Sequence, residues 1–151
     1  MNFMNDSALS EFLDTNILVY AFERDHSNRH NTARQLLRRL MASNTLRLST
    51  QVLQEFYVTM IRKSKQPAST QETLACMDDL SLWPLFVIDY PAVRDACLLS
   101  RDASISYWDA LIVVAAARSG AKRLYTEGLN HGQTILGVAI TNPFIAGEKS
   151  Q

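Results

Sequence analysis

Asp14, Glu55 and Asp109 are the residues of this chain whose types and settings best suit chemistry. Asp14 closes a short apolar run, Phe12-Leu13, and is followed at once by a hydroxyl and a carboxamide, Thr15 and Asn16. The helical pattern Ile17-Leu18-Val19-Tyr20-Ala21-Phe22 comes next, so the acid stands at a strand-to-helix switch. An acid so placed points out of the carboxyl end of a sheet, the edge where open parallel sheets bind ligands. Glu55 lies within a second amphipathic segment, Asp109 in the first turn of an almost wholly apolar one, and Glu127 just after Arg123-Leu124-Tyr125. One carboxylate binds Mg²⁺ weakly, because the ion gives up its water reluctantly, whereas several convergent carboxylates can hold one or two ions. Such ions lower the pKa of a bound water and neutralise charge on a phosphodiester.

Each acid also has a plain structural reading. Asp14 can cap the helix that follows it. Glu55 shares a face with Gln51 and Thr59, as a solvated stripe would. Asp109 complements the positive end of its helix, and Glu127 in a polar loop reads as a surface acid. The case for a site therefore rests on their order and on the elements that position them.

Strands are expected at Glu11–Leu13, 46–48, 85–88, Arg123–Tyr125 and Val138–Thr141. The spacing of Ala33, Leu36, Leu37, Leu40 and Met41 predicts a helix over 29–42. Ser49 or Thr50 caps the next, which runs to about Lys63 with Val52, Leu53, Phe56 and Met60 inward. Pro67 breaks the chain, and Ser69 with Glu72 forms a capping box for a helix to about Leu82. Asp89 caps a helix opened by Pro91 and ending near Arg101. Ser106 with Asp109 resembles a second capping box. The segment 110–118 that follows is apolar on nearly every side, so it is buried on more than one, and Gly120 ends it. Strands alternating with helices imply a parallel-sheet α/β sandwich.

The whole chain bounds the reading further. A length of 151 residues fits one domain with a real core, placed at about 11–144 with loose ends outside it. Fifteen basic and fifteen acidic residues give no net charge, so any RNA contact must use local clusters. Arg34, Arg38 and Arg39 form one such cluster and Arg62, Lys63 and Lys65 another, and both also read as solvated helix faces. No stretch is long and apolar enough to span a bilayer. The start, Met1-Asn2-Phe3-Met4-Asn5-Asp6, lacks a basic region before an apolar one, so no secretory signal is expected. Cys76 and Cys97 lie far apart and suit reduced thiols in a cytoplasmic protein. His26 and His30 have metal-compatible spacing but no HExxH order, and His131 reads as a turn residue. Trp83 and Trp108 are expected in or beside the core. No GxSxG elbow, Walker loop or GxGxxG loop occurs.

Four segments carry a resemblance: 12–22, Ser49-Thr50-Gln51-Val52-Leu53-Gln54-Glu55-Phe56, Ser106-Tyr107-Trp108-Asp109-Ala110-Leu111-Ile112 and Leu124-Tyr125-Thr126-Glu127-Gly128. Together they resemble the PIN-domain family, and within it the VapC-type ribonuclease toxins, over nearly the whole chain. The resemblance implies a single α/β/α sandwich with a parallel sheet of four or five strands. It implies a Mg²⁺- or Mn²⁺-dependent endoribonuclease acting on RNA, held inactive by a cognate antitoxin protein, and a homodimer. On that pattern Asp14, Glu55 and Asp109 match the first three family acids and the metal ligands. Thr15 and Asn16 match the residues that orient the first acid and contact substrate. The family's fourth acid falls at Gly128 in this chain, with Glu127 one residue earlier as its stand-in. That departure keeps open a catalytically weak or inactive PIN fold that binds proteins instead. A phospho-receiver-like domain is a more distant alternative, since Asp14 lacks an adjacent acid and Lys122 precedes its strand.

Overall fold

A computed structural model describes residues 10–24, 27–63 and 66–145. His26, Lys65, the amino-terminal stretch 1–9 and the end of the chain beyond 145 lie outside the described residues, and with them the expectations about the chain ends and the histidine pair.

All five expected strands form: β1 (Glu11–Leu13), β2 (Leu46–Ser49), β3 (Leu85–Phe86), β4 (Arg123–Tyr125) and β6 (Val138–Thr141). A sixth, β5 (Thr134–Ile135), is added by a hairpin. The sheet order is β3-β2-β1-β4-β6-β5, parallel throughout except for β5 at the edge. The helices are α1 (Thr15–Ala21), α2 (Asn28–Ala42), α3 (Thr50–Arg62), α4 (Thr70–Leu80), α5 (Tyr90–Ala103) and α6 (Tyr107–Arg118). Helices α1 to α4 pack on one another, while α5 and α6 form a separate pair whose α6 lies on β2, β4 and β6. The result is an α/β/α sandwich.

Local chemistry sets the boundaries. Ser27, Ser49, Ser69, Asp89 and Ser106 each accept a hydrogen bond from a backbone N–H in the first turn of their helix, which satisfies a donor the helix itself cannot. At Ser69 the bond is returned by Glu72, completing the capping box. Helix α6 starts at Tyr107, three residues before the apolar run, so Asp109 sits inside its first turn. At its other end Gly120 (φ +74) donates to the Ala117 carbonyl and Ala121 to that of Ala116, closing the helix as only a left-handed residue allows.

The main core surrounds β1 and α1, where Phe12, Leu13, Ile17 and Leu18 are fully buried. A second cluster, Ala92, Ala96, Ala110, Leu111 and Val114, joins α5 to α6, and its alanines let the two backbones approach closely. Trp83 packs beside the core as expected. Trp108 does not: its side chain stands 62 % exposed, because the helix turns its apolar face inward from Ala110 onward.

The β5–β6 hairpin turns on Leu136 and Gly137, both at positive φ (+51 and +79), the backbone of a two-residue primed turn. Leucine in that region meets its own carbonyl, and this one is largely exposed. Leu136→Asn is therefore expected to stabilise the fold by up to about 1 kcal/mol, read from urea unfolding. A loss of stability would mean that the packed part of Leu136 outweighs its backbone strain.

Candidate active site

Strand order reverses between β1 and β4, and such a switch point opens a crevice at the carboxyl ends of the two strands. The register Leu13↔Tyr125 brings the next residues, Asp14 and Thr126, face to face there. The Asp14 carboxylate is held on both sides. Oδ1 accepts from the Thr15 backbone N–H at 2.7 Å, and Oδ2 accepts from the Thr126 hydroxyl at 2.7 Å. Asp14 is thus both the cap of α1 and a buried acid aimed at the crevice, only 8 % exposed. Burial above all, with a smaller contribution from the nearby charges of Asp109 and Glu55, pushes its carboxyl up to about 6 against the lowering effect of the Thr126 and Thr15 hydrogen bonds.

Glu55 reaches the same place from α3. Its Oε1 accepts from the Thr15 hydroxyl at 2.7 Å and its Oε2 from Gln51 Nε2 at 3.3 Å. Gln51 Nε2 also donates to the Trp108 carbonyl at 3.1 Å, tying α3 to the start of α6. Two acceptors facing that nitrogen fix the orientation of the amide. Its oxygen is left buried without a partner. Asp109 completes the ring of acids from the first turn of α6. Asp14, Thr15, Asn16, Glu55, Trp108 and Asp109 all line one open cleft of about 450 Å³.

The Thr15 hydroxyl orients Glu55, while Asp14 is oriented by the Thr15 backbone and by Thr126. Asn16 is exposed and lines the cleft. Glu127 points elsewhere, pairing with Arg29 at 2.9 Å. The Arg29 guanidinium lies 5.0 Å from the ring centre of Phe144 and 5.7 Å from that of Tyr20, so this acid anchors the loop that carries Thr126 and Gly128.

Gly128 is not in the left-handed region. Its N–H donates to the Thr126 hydroxyl, and a Cβ built there would lie 3.4 Å from Asp109 Oδ1. A side chain at this position would therefore enter the acidic ring without backbone strain.

Several basic residues proposed for phosphate contact are engaged within the fold. Arg34 donates to the Ala21 carbonyl, Arg39 to the Tyr125 hydroxyl, and Lys63 pairs with Glu23 at 2.5 Å. His30 Nδ1 lies 2.9 Å from the Tyr20 carbonyl, and His131 accepts from the Asn142 N–H.

Sequence reasoning missed two contributors, Thr126 and Gln51. Thr126 was legible in principle as the polar residue that ends a strand beside β1. Gln51, one helical turn before Glu55, carried no signal distinguishing it from a solvated stripe.

As for metal binding, among the described residues no three His, Cys, Asp or Glu side chains stand close enough to share an ion directly. The donors of the cleft are nonetheless all oxygen, as hard cations prefer, and an ion that keeps part of its water shell need not touch all three acids.

The acids thus stand at the topological switch point of an open α/β sandwich, the place where such sheets bind ligands. The PIN domain family model matches residues 12–133, and the chain belongs to the PIN-domain family. Solved structures share the fold. VapC20 of Mycobacterium tuberculosis, a sarcin–ricin loop cleaving toxin, superposes with a TM-score of 0.60 at 21 % identity, covering 77 % of this chain and 88 % of that one. VapBC2 of Rickettsia felis gives 0.63 at 23 % identity over 89 % and 98 %. A toxin–antitoxin complex from Klebsiella pneumoniae gives 0.67 at 19 % identity over 89 % and 98 %. No curated protein matches the chain significantly.

The raised pKa of Asp14 gives a stability prediction for the protein in chelator. Between its ordinary value of 3.8 and about 6, the folded state holds a proton that the unfolded state releases. Stability is thus highest below pH 4 as far as this group is concerned. It falls as pH rises through 6, by on the order of 2–3 kcal/mol. Asp14→Asn keeps the shape and removes the titration. Parallel urea-unfolding series at pH 4.5 and 7 should show the mutant gaining relative to wild type at the higher pH. Identical pH profiles would contradict the buried-acid geometry.

Proposed function

We propose that this chain is a Mg²⁺- or Mn²⁺-dependent endoribonuclease that hydrolyses RNA phosphodiesters as the toxin of a toxin–antitoxin pair. The observation that carries this reading is the convergence of Asp14, Glu55 and Asp109 on one cleft at the carboxyl end of the sheet. The toxin part of the reading draws support from the structures named above, one a sarcin–ricin loop cleaving toxin and another a toxin–antitoxin complex. A cytoplasmic setting, a homodimer and a cognate antitoxin belong to the same proposal. No helix among the described residues is long and apolar enough to cross a membrane.

Asp14, Asp109 and Glu55 would hold the ion. When bound, it would lower the pKa of a water and offset charge on the phosphate. The chain's own residues do the positioning. Thr126 and the Thr15 N–H hold Asp14 in one rotamer, and the Thr15 hydroxyl with Gln51 holds Glu55. The exposed carboxamide of Asn16 offers both a donor and an acceptor to a ribose or phosphate oxygen. Burial of Asp14 favours its neutral form, so a cation at the site restores its charge and releases the repulsion among the three acids.

RNA cleavage is expected to require Mg²⁺ or Mn²⁺, to stop in EDTA, and to fall by about 10²-fold or more in Asp14→Asn. Cleavage by Asp14→Asn at the wild-type rate would remove the acid from the mechanism. Millimolar divalent ion should also raise the melting temperature of wild type more than that of Asp109→Asn.

The alternative is a weak or inactive PIN fold used for protein binding, and Gly128 favours it, since the chain offers no carboxylate beside Asp109 from this loop. Gly128→Asp tests the two together. Under the nuclease reading the added acid lowers the melting temperature in chelator, by repulsion from Asp109, and raises Mn²⁺-dependent cleavage. A lower melting temperature with unchanged cleavage would mean that no ligand is missing there. Glu127→Gln should leave cleavage largely intact if Glu127 only anchors Arg29, and a collapse of activity would make it the fourth acid.

A further inference from the structure

Among the described residues, two buried side-chain polar atoms have no hydrogen-bond partner, Gln51 Oε1 and Trp83 Nε1. Trp83 packs beside the main core and does not line the cleft. Gln51 is only 3 % exposed and lines the cleft together with Asp14, Glu55 and Asp109. A buried acceptor without a donor costs free energy, so its presence at a ligand-binding edge calls for a reason.

Turning the amide over does not cure the defect. Its nitrogen donates to Glu55 Oε2 at 3.3 Å and to the Trp108 carbonyl at 3.1 Å. The opposite orientation would set the oxygen against those two acceptors. Nor does α3 need a polar residue here, since Ser49 caps it and the next two residues, Val52 and Leu53, are buried apolar ones. The oxygen is thus a fixed acceptor beside an acidic cleft, and a donor carried by a cation suits both. The described acids do not stand close enough to share an ion directly, so an ion held among them keeps part of its water shell, as Mg²⁺ does by preference. Water on a cation turns its hydrogens outward and is a strong donor.

We propose that Gln51 is a positioning residue for the ion of this site, its Oε1 accepting a hydrogen bond from a water in the shell of a divalent cation held by Asp14, Glu55 and Asp109. The inference rests on the nuclease reading above and adds to it a contact made by a neutral side chain. One residue serves the site twice, its nitrogen holding Glu55 and its oxygen holding the ion's water. As a carboxamide it adds an acceptor without adding to the repulsion among the three acids.

The test uses the full chain and Mn²⁺ alone, with the free ion counted by its EPR signal. Wild type, Gln51→Met, Glu55→Ala and the double variant are compared. Methionine keeps the length and helix propensity of the side chain and removes both polar groups. Gln51→Asn, which draws both groups back by one methylene, is run beside it, and cooperative melting in chelator confirms each fold. Gln51→Met should raise the Kd for Mn²⁺ by roughly tenfold, and Gln51→Asn should show a loss in the same direction. On the Glu55→Ala background Gln51→Met should raise it again, by about threefold or more. No further loss on that background would mean that Gln51 acts only by holding Glu55, and would overturn the proposal. An unchanged Kd in both Gln51 variants would overturn it as well and leave the nuclease reading standing. Cobalt(III) hexammine, whose ammines exchange very slowly, meets the site through N–H donors only. It should raise the Tm of wild type more than that of Gln51→Met. A Gln51→Met protein that loses Mn²⁺ affinity but keeps its full response to the hexammine would make the oxygen a direct ligand and end the role through water. Wild type that binds no Mn²⁺ at millimolar concentration would overturn the metal-dependent nuclease reading itself.

Discussion

The double hydrogen bond on Asp14 is the constraint from which the rest of the site follows. A carboxylate buried at the end of β1 is costly unless its oxygens are occupied, and the fold occupies both. One partner is local, the first N–H of α1. The other, Thr126, comes from a strand more than a hundred residues away, and only the parallel pairing of β1 with β4 delivers it. That pairing also sets the switch point, and so fixes where a ligand can enter. The same burial raises the pKa of this acid above that of an ordinary aspartate.

Around that acid the polar side chains act in pairs across elements. Thr15 hands its N–H to Asp14 and its hydroxyl to Glu55, so α1 holds two acids at once. Gln51 joins Glu55 to the carbonyl of Trp108, linking α3 to α6. Glu127 acts through Arg29, whose guanidinium lies against Tyr20 and Phe144 and anchors the loop carrying Thr126. A chain of this kind makes the position of each acid depend on packing rather than on its own helix. It also shows why Glu127, closest in sequence to the family's fourth acid, is spatially the least available of the four.

The cleft joins two kinds of surface that seldom coincide. Its acids repel a polyanion, and its exposed indole and valine offer apolar contact.

The amino-acid sequence by itself determined the alternation of strands and helices, five strand positions, the serine and aspartate caps, and Gly120 as a helix stop. Each is a local choice, set by side-chain period, by capping chemistry or by the backbone freedom of one residue. It also marked Asp14, Glu55 and Asp109, because acids at a strand end or in a first turn stand out from their neighbours. Only tertiary structure decided what those acids touch. The short hairpin strand β5 depends on a turn with Leu at positive φ, a residue that carries no turn signal. The exposure of Trp108 depends on which face α6 turns to the sheet, and an aromatic residue before an apolar run reads as core. The pairing of Thr126 with Asp14, the unstrained opening at Gly128 and the diversion of Glu127 to Arg29 are contacts between segments distant in the chain. Periodicity and propensity act over a few residues, whereas such contacts are fixed by register and by which layer each helix covers, and those are properties of the folded whole.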